Sequence, residues 1–166
     1  MKLRFISTSK NSFKIHVPTP EGGMIHRSVG FIRKGKIKAR AEAIGIRNQI
    51  GRQHWKKFWT RVLHDEKLLL RISKMTIQPR LIQVQDTYNG KPFMKEMYCA
   101  NWMDENGVKH FVSRGTKGRG RAAAYLITKR IMFDGIRRYH DILLFMEIIT
   151  RADLRQVNTY LKDIKQ

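Results

Sequence analysis

Apolar and polar residues alternate in short runs that recur in two parts of the chain. Phe13-Lys14-Ile15-His16-Val17 changes character at every step, and Tyr98-Cys99-Ala100-Asn101-Trp102 is a second strand-like run with the polar Asn101 inside it. A period of two marks a half-buried strand, whose successive side chains face opposite sides of a sheet. Each run leads into a glycine turn, Glu21-Gly22-Gly23 in the first case and Glu105-Asn106-Gly107 in the second. Asn-Gly between alternating runs signals a hairpin, because both central positions must accept positive φ. Further strand-like runs follow the turns, over Ile25 to Ile32 and Val108 to Ser113. Others precede them, over Lys2 to Ser7 and Leu81 to Asp86.

Helical patterns come next. Residues 36–50 and 119–133 are rich in Ala, Ile and Arg, good helix formers apart from the internal Gly45. Ala41, Ile44 and Asn48, and in the second stretch Ala124, Ile127 and Ile131, predict a stripe facing the sheet. The expected fold class is therefore α+β, with two tandem βββα units, each a three-stranded antiparallel sheet backed by a helix. Three strands need such cover to be stable. Trp55, Phe58, Trp59 and Val62, followed by Leu68, Leu69, Leu70 and Ile72, predict a helical connector that Pro79 ends. Ile142 to Ile149 is almost wholly apolar. Thr150 and Asp153 are spaced as an N-terminal cap with a reciprocal carboxylate, and Leu154, Val157, Leu161 and Ile164 mark one apolar face. The expected division is a first unit over 1–52, a connector over 53–79, a second unit over 80–135 and C-terminal helices over 136–166. Those helices serve either as core or as a homodimer interface.

The two units also match as sequences. Lys34 to Arg47 overlays Lys117 to Arg130 at a displacement of 83 (117 less 34), pairing Gly35 with Gly118, Lys36 with Arg119 and Lys38 with Arg121. Two copies point to duplication, not to a solenoid array.

Charge changes this picture most. The 166 residues hold 34 Lys+Arg against 13 Asp+Glu, a formal charge of +21. Such an excess opposes compaction and favours a polyanionic partner. Double-stranded DNA is the expected partner, with RNA the principal rival. Apolar residues make up 42% of the chain, enough for a core. The single Cys99 excludes an internal disulfide framework and a multi-cysteine zinc site. No apolar window is long enough to span a membrane, and the stretch from Met1 to Ser7 is unlike a signal peptide. An intracellular, cytoplasmic and nucleoid-associated protein is expected, with no membrane partner and no cofactor.

The charge is also clustered. Arg27, Arg33, Lys34, Lys36 and Lys38 lie in a stretch without acids, as do Lys109, Arg114, Lys117, Arg119 and Arg121. Glycines in these turns let the backbone approach phosphate, and a helix N-terminus adds donors. Alternation predicts the sheet faces. Leu3, Phe5, Phe13, Ile15 and Val17 point in, while Lys2, Arg4, Lys14 and His16 point out. Ile82, Val84, Tyr98, Ala100 and Trp102 point in, while Gln83, Gln85, Cys99, Asn101 and Met103 point out. Arg, Lys, Asn and Gln on a free face suit the reading of base edges.

Tyr98-Cys-Ala-Asn-Trp102, the Glu105-Asn-Gly107 turn, Lys109-His-Phe-Val-Ser113 and the Ala-rich helix ending in Lys129-Arg130 resemble the APETALA2/ethylene-response-factor-type DNA-binding domain. The closer resemblance is to its bacteriophage and mobile-element versions, often attached to homing endonucleases. It covers 80–133 well and 1–50 faintly. The resemblance implies a three-stranded sheet lying in the major groove, backed by one helix, with Asn101, Lys109 and Arg114 facing the DNA, and Lys14 and His16 in the first unit. It implies a sequence-specific regulator or repressor that occludes an operator, with the DNA-binding part of a homing-type nuclease as an alternative.

Catalysis is not expected. The six histidines do not cluster, Asp86 and Glu96 lack the Lys of a Glu-x-Lys nuclease signature, and the repeats take up nearly all of the sequence. No catalytic residue and no metal site is expected.

Overall fold

The computed structural model describes residues 3–163, with side chains through 159. Lys2 and Ile164 lie outside the described residues, as does the side chain of Leu161. The chain divides into two compact units, 1–69 and 70–166. Each contains three antiparallel strands in sequential order. In unit 1 these are β1 (Ile6–Thr8), β2 (Ser12–Pro18) and β3 (Met24–Gly30), followed by α1 (Lys36–Trp55). In unit 2 they are β4 (Arg80–Tyr88), β5 (Lys91–Met103) and β6 (Lys109–Gly115), followed by α4 (Arg121–Gly135). Two tandem sheets, each backed by a helix, are thus the architecture, as the alternation implies.

The repeat is real, but its displacement is 85 and not 83. The glycines that open the two helices are Gly35 and Gly120 (120 less 35), each at φ 79°, with ψ of 154° and 162°. Ile15 pairs with Arg27, and Ala100 pairs with Val112, so β2 and β3 repeat at the same displacement. The turns agree too. Gly22 and Gly107 both take positive φ, and Thr19 Oγ1 accepts from the Gly23 amide as Asp104 Oδ1 accepts from the Val108 amide. Matching Lys34-Gly35 to Lys117-Gly118 misses this because the second loop holds another glycine. Each long helix then passes through a three-residue 3-10 turn into a six-residue helix, α2 (Trp59–His64) or α5 (His140–Phe145). The segment after α1 thus begins with the same kinds of element as the segment after α4.

The shift in register corrects the predicted stripe on α1. The buried positions are Ala39, Ala43, Arg47, Gly51 and Trp55, while Ala41 is exposed. Small residues every fourth position let the helix approach the sheet closely, and Gly51 leaves room for the Trp59 ring, which a Cβ there would strike. Arg47 is buried because its guanidinium donates to Asn48 Oδ1 and the Arg4 carbonyl. Trp55 Nε1 donates to the Pro18 carbonyl at 2.7 Å. On α4 the buried set is Ala124, Thr128, Lys129, Met132 and Phe133, so Ala124 keeps its predicted place and Ile127 and Ile131 are half-buried.

Trp55, Phe58, Trp59, Val62, Leu68 and Ile72 are buried, as their spacing predicts. The last two lie on α3 (Leu68–Ser73). In unit 2, Ile142, Leu143, Ile149 and Val157 are buried within the unit itself. The cap of α6 (Arg151–Asp163) is the reciprocal one expected. The Thr150 amide donates to Asp153 Oδ2 at 2.9 Å, and the Asp153 amide donates to Thr150 Oγ1 at 3.1 Å. Asp153 Oδ1 also accepts from Lys129 Nζ at 2.7 Å, and Lys129 is only 2% exposed. Burial pushes the Asp153 carboxyl up, but hydrogen bonds from Lys129, Thr150 and Gln78 outweigh it and hold the group well below the carboxylate range.

Candidate functional site

Strand pairing sorts the side chains of each sheet by face. In unit 1, Phe13, Ile15 and Val17 face α1, and the opposite face carries Lys14 and His16 from β2 with His26 and Ser28 from β3. His16 Nδ1 and His26 Nδ1 are 2.8 Å apart, one donating to the other, and their rings meet edge-on. Ser7 Oγ lies 3.5 Å from His16 Nε2. Arg27 is paired with Ile15, which places it level with the inward set, yet on this edge strand it stays exposed and lines the same shallow depression as Lys14, His16 and Ser28. Lys14 and His16 stand where alternation puts them.

Arg4 does not. Residues 4 and 5 form a turn ahead of β1, with Phe5 at φ 64°. The Arg4 guanidinium lies over the Phe5 ring at 4.7 Å, and its Nη2 donates to the Glu66 carbonyl at 3.2 Å. Burial pushes its pKa down. The alternation fails because the chain is not yet a strand at this point.

In unit 2, Tyr98, Ala100 and Trp102 do face the helix. Tyr98 meets Tyr125 of α4 edge-on at 5.4 Å, and a Cβ on Gly135 would strike the Trp102 ring. Cys99, Asn101 and Met103 lie on the opposite face, as alternation predicts, whereas the assignments on β4 and that of Arg114 need correction. Gln83 pairs with Glu96, and Glu96 receives two hydrogen bonds from Arg121 at the start of α4. Gln83 and Gln85 therefore share the helix side, and Ile82 and Val84 lie on the free face, partly exposed. Arg114 pairs with Tyr98, which also places it on the helix side, where its Nη1 donates to the Ser113 carbonyl. Asn101 is on the free face, but Thr76 and the Lys74 carbonyl occupy its amide. Cys99 is buried, which raises its thiol pKa. Lys109 is exposed on the free face at the start of β6.

The two basic loops have the same frame. Gly35 N donates to the Phe31 carbonyl, and Gly120 N to the Thr116 carbonyl, each at 2.9 Å. Neither helix has a side-chain cap or an acid in its first turn. Arg33, Lys34, Lys36 and Lys38 are exposed around the first, and Lys117, Arg119 and Arg121 around the second. Lys34 is engaged by Glu42 at 2.7 Å, while Lys36 lies 5.4 Å from the Phe31 ring centroid. The Arg121 hydrogen bonds hold the Glu96 carboxyl below its usual range. Amides at a helix start beside exposed cations make an arrangement that suits an anion.

Asp86 and Glu96 fall on opposite faces of the β4–β5 pair, so they cannot hold one ion between them. Among the described residues no three His, Cys, Asp or Glu side chains group as metal ligands, and no helix is long and apolar enough to cross a membrane.

Sequence-based expectations stop at Asp86 and resume at Tyr98, passing over Tyr88, Lys91, Phe93 and Lys95 at the tip of a long hairpin. The signal was Asn89-Gly90, a hairpin dipeptide between strand-like runs. No protein-family model, curated protein or solved structure matches this chain.

Proposed function

We propose that the protein binds double-stranded DNA with sequence selectivity and regulates by occupying an operator or origin. The observation that carries this reading is the recurrence, 85 positions apart, of an uncapped helix start on a glycine of positive φ, ringed by cations. A net charge of +21 gives the same direction. Lys36, Lys38, Arg33, Lys117 and Arg119 contact phosphates, which sets position without reading sequence. Lys14, His16 and Arg27 of unit 1, with Lys109 of unit 2, present donors to base edges in the major groove. The βββα order agrees with the APETALA2/ethylene-response-factor-type topology, and we assign the chain to the phage and mobile-element kind of that family.

Titration against duplex DNA at several salt concentrations tests this. Six to ten phosphate contacts give a log–log slope of about −5 to −9. A slope near zero overturns the reading, and equal affinity for every duplex sequence overturns its selectivity. Lys36→Ala or Arg119→Ala weakens all duplexes alike, whereas Lys14→Ala changes the preference among them. Sites selected from random duplexes report the stoichiometry, since a palindrome means that two chains bind as a homodimer.

A further inference from the structure

Unit 2 carries a surface that unit 1 lacks. β4 and β5 extend to the Asn89-Gly90 turn, where both residues take positive φ, 50° and 74°, as a two-residue hairpin requires. On the side away from α4 the extension presents Tyr88, Asp86 and Val84 opposite Lys91, Phe93 and Lys95. Tyr88 is 72% exposed and Phe93 38%. The two rings are diagonal neighbours across the strand pair, and Asp86 is occupied by Lys95 at 3.6 Å. The basic loop seats itself beside β5 through the Thr116 amide, which donates to the Glu96 carbonyl at 3.0 Å. Together they enclose an open cavity of about 830 Å³ lined by Tyr88, Phe93, Lys91, Lys95, Lys117 and Arg119.

Rings set among cations, with the only acid on that face of the tip already paired, fit a ligand that is both flat and anionic. A duplex hides the faces of its bases in the stack and offers only edges to a protein. An unpaired strand offers both faces and phosphates. We propose that this cavity binds single-stranded nucleic acid, with Tyr88 and Phe93 stacking on unpaired bases and Lys91, Lys117 and Arg119 holding the backbone. Lys117 and Arg119 are shared with the duplex reading, but the two rings are not, and no Phe, Tyr or Trp occupies the free face of the unit 1 sheet.

Fluorescence anisotropy of the full chain with labelled oligothymidine, its RNA counterpart and a duplex tests the proposal. Tyr88→Ala with Phe93→Ala lowers single-strand affinity by about tenfold or more per ring and leaves duplex affinity within about twofold. Loss on either the DNA or the RNA strand supports the site and tells which sugar it takes. Tyr88→Phe keeps the ring and keeps the binding. Unchanged single-strand affinity in the double variant overturns the proposal, as does an equal loss on duplex with an unchanged circular dichroism spectrum. So does a wild-type dimer that the double variant abolishes without affecting strand binding. Duplex binding lost with strand binding retained strikes the duplex reading alone.

Discussion

At matching positions of the free sheet faces, unit 1 places Lys14, His16 and His26 where unit 2 places Cys99, Asn101 and Phe111. The backbone frame is the same in both, down to the sign of φ at the turn and cap glycines. In unit 1 the face is polar and open. In unit 2 Cys99 is buried, Asn101 is held by Thr76, and Phe111 is 67% exposed. Polar and aromatic side chains have thus been exchanged on a constant scaffold, and the exposed chemistry of unit 2 has moved outward to its hairpin tip. The lesson is that a shared fold says little about shared ligands, because the residues that hold the frame are not the ones that face outward.

The interiors also differ, and the largest predicted effect tests that. Lys129 is buried in unit 2, where unit 1 has Ile44 at the matching position of α1. Asp153→Ala leaves the ammonium without its charge partner and destabilises unit 2 by about 3–5 kcal/mol. Lys129→Met, which removes the charge itself, is expected to cost less. Urea denaturation followed by hydrogen exchange reads both, and unit 1 amides are expected to keep their protection. Equal loss in both units breaks the contrast. The same pair sets an acid limit. Because the folded carboxyl of Asp153 lies below its unfolded value near ~3.9, its contribution is complete above that pH and is lost as pH falls below it. Acid titration of the Asp153→Ala variant is expected to show a shallower decline than wild type.

Gly35→Ala and Gly120→Ala come next. Both glycines sit at positive φ with ψ near 160°, a region essentially closed to other residues, at a cost of about 1–3 kcal/mol. Thermal melts of the two variants are expected to show losses of similar size, because the frame is common. A loss at only one glycine would break the equivalence. The smallest effect separates Lys36 from Arg121, the first residues of the two helices. Arg121 is held by Glu96 and Lys36 has no ion pair among the described contacts. Arg121→Ala is expected to lower stability slightly, as an exposed pair contributes little, and Lys36→Ala to leave it unchanged. Duplex affinity is expected to fall more for Lys36→Ala.

Much of the frame could be read in the sequence. Period-two alternation placed β2 and β5, paired glycine turns placed the hairpins, and the Thr150–Asp153 spacing placed a cap that exists atom for atom. The site was less legible. Alternation names the inward side chains only where one face is covered. On β4 every residue is exposed, so Ile82 and Val84 looked inward by hydrophobicity while pairing put Gln83 and Gln85 there. Arg4 and Asn101 look like free contacts in the sequence, and both are occupied by backbone or side-chain partners more than twenty residues away. The stripe on α1 escaped because an arginine and three alanine or glycine positions carry little hydrophobic signal.

The long hairpin has a meaning for how such a chain changes over generations. Thr8 and Phe13 close the short hairpin of unit 1, and Leu81 and Tyr98 stand at the matching base in unit 2. All the added residues lie beyond that base, where each new strand residue finds its backbone partner in the opposite arm. Extra length there leaves the core unaltered, so the surface chemistry of one copy can vary without disturbing the frame that both copies share. Trimming the arms back to a short turn would be expected to give unit 2 the outline of unit 1 without unfolding it.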